Sequence, residues 1–210
     1  MMRNWIRPAA YSALALILLV LGAALRPLVI PENQTVASVL NPAEIGFSQD
    51  MTAHHEQALI MVQRLDPSAG PAVRRLAAQL DQTQRLELGT MLGWLRLANA
   101  APDSPHPMAW MPMDNPAAHQ HSAAPRTMPG MATNAELDAL AAARGHDADV
   151  LFLQLMLRHH QGGIAMAQAV DGLLSSGPVK ELARSMIQQQ GQEVGVIGVL
   201  LNQLGGHPLP

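Results

Sequence analysis

The stretch "MTAHHEQALIM", Met51–Met61, returns later in the chain as "MLRHHQGGIAM", Met156–Met166. Each copy sets a methionine three residues before a His-His pair and another six residues after it. At one constant offset Phe47, Met51, His54, His55 and Met61 fall on Phe152, Met156, His159, His160 and Met166, and Glu44 falls on Asp149. One residue is gained at a Gly-Pro break, after which Gln84 and Glu87 fall on Gln190 and Glu193. The chain therefore carries an internal duplication whose unit is a helix, a tight turn and a second helix.

Helical spacing shows where the histidines point. Counting about 100° per residue from Met51, Phe47 lies at about −40°, His54 at about −60°, His55 at about +40° and Met61 at about −80°. These positions, with Ala58 and Val62, fill an arc of roughly 120°, the width of a core-facing stripe. The second copy repeats it with Phe152, Met156, His159, His160, Gly163 and Met166. On the partner helices Gln84 and Glu87 share a face with Leu76, Leu80, Met91 and Trp94. Gln190 and Glu193 sit among Leu182, Met186, Ile197 and Leu200. Two helical hairpins with apolar faces predict an all-α four-helix bundle, because one hairpin cannot bury both of its stripes alone. A polar group buried without a partner costs roughly 2–7 kcal/mol, so four histidines and two glutamates should meet in an interior ringed by methionine and leucine.

Such an interior has two readings. A buried His–Glu network can simply lock the register of two hairpins. Alternatively the histidines and methionines bind a metal. Thioether sulfur with imidazole suits a soft ion of low coordination number, above all Cu(I). Met51 with His54 and His55, and Met156 with His159 and His160, present sulfur and nitrogen from adjacent turns of one face, and Met61 and Met166 extend the set. Gln84, Glu87, Gln190 and Glu193 would hold the other imidazole nitrogens. Methionine also fills core gaps readily, so Met91 and Met186 are assigned to packing.

Composition narrows the field. Among 210 residues there are 13 methionines, 9 histidines and no cysteine, which excludes disulfides, thiolate sites and cysteine nucleophiles. A net charge of −3 and the absence of a basic run give no footprint for nucleic acid. No Glu-x-x-His of the di-iron bundles, His-Glu-x-x-His, Gly-x-Ser-x-Gly or phosphate loop occurs.

Residues 1–26 read as a signal peptide cut after Ala24 or as an uncleaved membrane anchor: Arg3 and Arg7 precede the apolar run Ala9–Leu25, which Arg26-Pro27 closes. Charge on its N-terminal side places the rest outside the cytoplasm, as a single-pass membrane protein or a secreted one. Residues 27–42 form a tether and residues 43–205 the duplicated bundle. Within it lie a first hairpin, 43–98, a Pro-, Met- and His-rich connection, 99–132, and a second hairpin, 133–205, led by a short helix capped by Thr133 and Glu136. The connection gathers His106, Met108, Met111, Met113, His119, His121, Met128 and Met131. It is either a second, shallower metal-capture site or a linker with its methionines as apolar pegs.

The stretches "EIGFSQDMTAHHEQALIMV", "MPGMATNAELDAL" and "DVLFLQLMLRHHQGGIAMA", with the Gln-x-x-Glu pairs at Gln84/Glu87 and Gln190/Glu193, resemble the bacterial family catalogued as domain of unknown function 305. The resemblance spans nearly everything from Glu44 to Gly205 and implies a ferritin-like helical bundle, secreted or membrane-anchored, with copper binding and copper tolerance associated with some members. It carries to Met51, His54, His55, Met61, Met156, His159, His160 and Met166. The copies also differ: Asp50 is matched by apolar Leu155, and Gly162-Gly163 replaces Gln57-Ala58, which would allow a closer approach of backbone or ligand. The sequence thus predicts an extracytoplasmic protein that binds Cu(I) for sequestration or for handover with a copper-donor or acceptor protein. It reads as a binding protein rather than primarily an enzyme. The rivals are a cell-envelope structural or interaction bundle and a ferritin-like metal oxidoreductase.

Overall fold

The computed structural model describes residues 6–29, 38–111 and 127–209, with side chains from Tyr11 to Arg26 in the first of these. The chain divides into two compact units, Met1–Ser38 and Val39–Pro210. The first contains α1, Ile6–Val29. This helix continues past the Arg26-Pro27 pair expected to end it, since the fixed φ of proline is already helical and only one intrahelical amide is forfeited. Its leucines from Leu14 to Leu25 are exposed. Among the described residues, no helix is long and apolar enough to cross a membrane.

The second unit is all-helical among its described residues: α2 Pro42–Arg64, α3 Pro71–Leu97, α4 Asn134–Ala142, α5 Gly145–Leu173 and α6 Pro178–Gln203. The boundaries follow from local chemistry. Asn41 Oδ1 accepts the amides of Ala43 and Glu44, and the Glu44 carboxylate returns to accept the Asn41 amide at 2.7 Å. Thr133 and Glu136 build the same reciprocal cap on α4. Prolines 42, 71 and 178 occupy first turns, where an amide would have no partner within the helix. Gly177, at φ 111°, makes the turn into α6 that a side chain would resist.

α2 packs on α3 and α5 on α6. α2 and α5 join the two hairpins, and α4 lies on both of them. The four-helix bundle built from two duplicated hairpins is therefore present. Met51 shares an apolar cluster with Met166, while Met61 shares another with Met156, so α2 and α5 run antiparallel. The duplication reaches beyond the helices. Asn99 and Gly205, at φ 52° and 70°, reverse the chain after α3 and α6, and each turn closes with a 2.9 Å bond, Ala100 N to Leu95 O and Gly206 N to Leu201 O. The equivalent Gln49 and Gln154 then hold the chain beyond each turn. Gln49 donates to the carbonyls of Ala101 and Asp103, and Gln154 to that of His207.

Candidate functional site

All four histidines are buried in the seam between the hairpins, each at most 1% exposed. Their inward direction follows from the spacing of the apolar positions on α2 and α5, where Phe47 and Phe152, both fully buried, mark the same stripe. Within the first hairpin His55 Nε2–H donates to Glu87 Oε2 at 2.6 Å, and within the second His160 Nε2–H donates to Glu193 Oε2 at 2.8 Å. Both carboxylates are nearly inaccessible, so each pair satisfies polar groups that the apolar stripe would otherwise strand.

The other two histidines meet across the seam. The rings of His54 and His159 stack with centroids 3.7 Å apart and planes 31° from parallel. His159 Nε2–H donates to the backbone carbonyl of His54 at 2.9 Å, and His54 Nε2–H donates to the carbonyl of Pro129 at 3.1 Å. A carbonyl can only accept, so both Nε2 atoms carry hydrogen. Burial pushes the His54 pKa down to about 3, helped by neighbouring His55 and His160 and opposed by the Pro129 bond. Burial, with His54 next, holds His159 well below the ordinary histidine range. Both rings are consequently neutral near pH 7, and each presents a bare Nδ1 lone pair.

The Nδ1 atoms of His54, His55, His159 and His160 are all buried without a hydrogen-bond partner. So are the Oε1 atoms of Gln84 and Gln190. Fixing one imidazole nitrogen on an oxygen while leaving the other lone pair bare is how a protein orients a histidine ligand. Met51, Met61, Met156 and Met166 are each fully buried. Among the described residues, no three His, Asp or Glu side chains converge to hold a metal. Glu87 and Glu193 each bond a histidine of their own hairpin.

The connection closes the seam. Gly162 lies so close to the Pro129 carbonyl that a Cβ there would have no room, and Gly130 meets the Arg158 carbonyl in the same way. Gln57, the counterpart of Gly162, clamps Ala132 from the other side, donating to its carbonyl at 2.9 Å and accepting its amide at 2.6 Å. At its start the connection is held by Asp50 Oδ2, which accepts the Met108 amide and Trp110 Nε1–H, both at 2.7 Å. Burial raises the pKa of Asp50, and these two bonds oppose the rise. Trp110 lies on Gly46 and meets the Phe47 ring edge to face at 5.5 Å. Of the methionines expected in the connection, Met108 is buried and Met111, Met128 and Met131 are half-buried, while His106 is exposed. Met113, His119 and His121 lie outside the described residues.

Sequence reasoning did not give Asp50, Gln57, Trp110 or Pro129 any part in the site. For Asp50 and Gln57 the signal was the mismatch between copies, Asp50 against Leu155 and Gln57 against Gly162.

A family model described as "Domain of unknown function (DUF305)" matches residues 44–201. None of the curated proteins matches the chain. A crystal structure of a DUF305 protein from Streptomyces coelicolor, provisionally described as secreted, is 37% identical, with a TM-score of 0.70, covering 80% of this chain and 96% of that one. A DUF305 fragment from Deinococcus radiodurans is 31% identical, with a TM-score of 0.62, covering 78% and 97%.

Proposed function

The chain belongs to the DUF305 family, a domain of unknown function, and we propose that this member binds Cu(I) outside the cytoplasm for sequestration or handover. The observation that carries the reading is the set of four buried Nδ1 atoms without a hydrogen-bond partner, each on a ring whose Nε2 is already engaged by an oxygen. Alongside them the buried thioethers of Met51, Met61, Met156 and Met166 supply the soft donors that Cu(I) prefers. The protein's part in this chemistry is positional. Glu87 and Glu193 orient the rings of His55 and His160, the backbone at Pro129 and His54 orients those of His54 and His159, and the apolar wall excludes water. The exposed apolar α1 serves as the export element, as a cleaved signal or an anchor. The description of the Streptomyces coelicolor relative as secreted supports an extracytoplasmic place.

The test is anaerobic titration of the purified full chain with Cu(I) against a chromophoric chelator, beside H54A/H55A and H159A/H160A, with helicity followed by circular dichroism. Tight binding lost in folded variants is the expected result. Binding unchanged in both would remove the histidines from the site.

A second reading has one observation in its favour: both His–Glu bonds lie inside single hairpins, as a purely architectural lock would place them. It expects Cu(I) to leave thermal stability unmoved, whereas a ligand bound by the folded state alone raises it. A metal oxidoreductase would additionally require turnover with O₂ or peroxide.

A further inference from the structure

The two ends of the bundle are built from equivalent positions, yet they differ in composition. At one end Met61 and Met156 share their apolar cluster with Leu80 of α3 and Ile197 of α6. At the other, Met51 and Met166 share theirs with Met91 of α3 and Met186 of α6. By the duplication Met186 stands where the first copy has Leu80, and Met91 where the second has Ile197. Each helix of the bundle thus contributes one fully buried methionine to a single cluster.

Packing alone does not call for this. The far end fills the same positions with leucine and isoleucine, whose rotamers are better defined and which specify a core more tightly than methionine does. A second feature points the same way. Met108, from the connection, joins this cluster at 4% exposure and does so at φ 62°, a left-handed conformation uncommon for a residue with a side chain. The half-buried Met111 and Met128 pack against it as well. The carboxylate of Asp50, itself 2% exposed, accepts the Met108 amide and so fixes the backbone that carries this methionine into the cluster.

We infer that Met51, Met91, Met166 and Met186, covered by Met108, form an all-thioether site for a soft monovalent cation, Cu(I) or its surrogate Ag(I), separate from the histidine nitrogens. Thioethers bind such ions as neutral donors and discriminate against harder divalent cations. The strained Met108 brings a fifth sulfur to the site, and Asp50 holds it there through the Met108 amide. This inference rests on the soft-metal reading of the bundle but takes Met51 and Met166 away from the histidines and joins them to Met91, Met186 and Met108.

The experiment is an Ag(I) titration of the full chain carrying ¹³C-labelled methionine methyls and ¹⁵N-labelled histidine rings, compared with M91I/M186L. Those substitutions install the residues used at the opposite end, so the bundle should keep its circular dichroism spectrum. In the wild type the methyls of Met51, Met91, Met166 and Met186 should shift in one step, and that step should vanish in M91I/M186L while the histidine response remains. Methyl shifts with silent histidine rings would uphold this site and overturn the histidine reading. Ring shifts with those four methyls unmoved would overturn the thioether site alone. Silence from both would overturn both.

Discussion

The two hairpins begin from the same plan, with the same break, the same His-His pair and the same His–Glu bond across 32 and 33 residues. They part where the connection touches them. The α2–α3 hairpin offers Asp50, which grips the amide of Met108 and the indole of Trp110, and Gln57, which grips Ala132. The α5–α6 hairpin offers Leu155 and Gly162 at those positions, one apolar and the other bare, and adds Arg158 where the first copy has Ala53. These differences lie where the connection touches the hairpins, while the His–Glu pairs beneath them are shared. The coverage of the seam, and with it the hydrogen-bond acceptor of His54, belongs to the chain between the copies.

This comparison can be broken most sharply at its symmetric core. H55A and H160A each leave a buried carboxylate without its partner, and each should cost about 3–5 kcal/mol in urea unfolding. Costs differing by more than about 1.4 kcal/mol, a tenfold ratio in the unfolding constant, would show that the two cores are not equivalent. Next in size is G162A, whose added methyl must displace the Pro129 carbonyl. It should lose about 1–3 kcal/mol, whereas G195A, placed in open space on α6, should gain up to about 1 kcal/mol. Equal signs for the two would mean that the connection does not press on α5.

D50L gives the first copy the residue of the second. It should cost about 1–3 kcal/mol by orphaning the Met108 amide and the Trp110 indole, and should speed hydrogen exchange at Met108 while leaving exchange in α5 unchanged. The smallest effect concerns Arg158, which donates to Glu136 at 2.7 Å and holds its pKa down to about 2, against opposing desolvation and with help from Thr133. A depressed carboxylate stabilises the fold above its unfolded value and loses that contribution as pH falls towards about 2. E136Q should therefore flatten the acid limb of the melting-temperature profile, an effect of order 1 kcal/mol for a pair partly open to solvent. An unchanged acid limb would remove this asymmetry from the account.

Much of the fold was legible because its signals are periodic. The 3.6-residue spacing of Phe47, Met51, His54 and Met61 placed both histidines of the first pair inward, and the Gly-Pro breaks and the Thr133–Glu136 cap marked helix ends. The pairing of Glu87 with His55 was foreseeable because a carboxylate on an apolar stripe must find a partner. What spacing could not give was the partner of each remaining nitrogen: Pro129 lies in an aperiodic stretch, and only the tertiary approach at Gly162 brings its carbonyl to His54. Met91 and Met186 were hidden for another reason. One at a time each is an ordinary core methionine, and their shared cluster emerges only once the four helices are packed together.

The His–Glu bonds also bear on the order of assembly. Each closes a loop of 32 or 33 residues, while the bond from His159 to the His54 carbonyl spans 105. Loop-closure entropy rises with the logarithm of length, so the longer closure costs about 1 kcal/mol more. Each hairpin can therefore neutralise its own polar interior early, by local zippering, and only then dock against its twin. The first half would thus be folded and protected before its twin has docked against it.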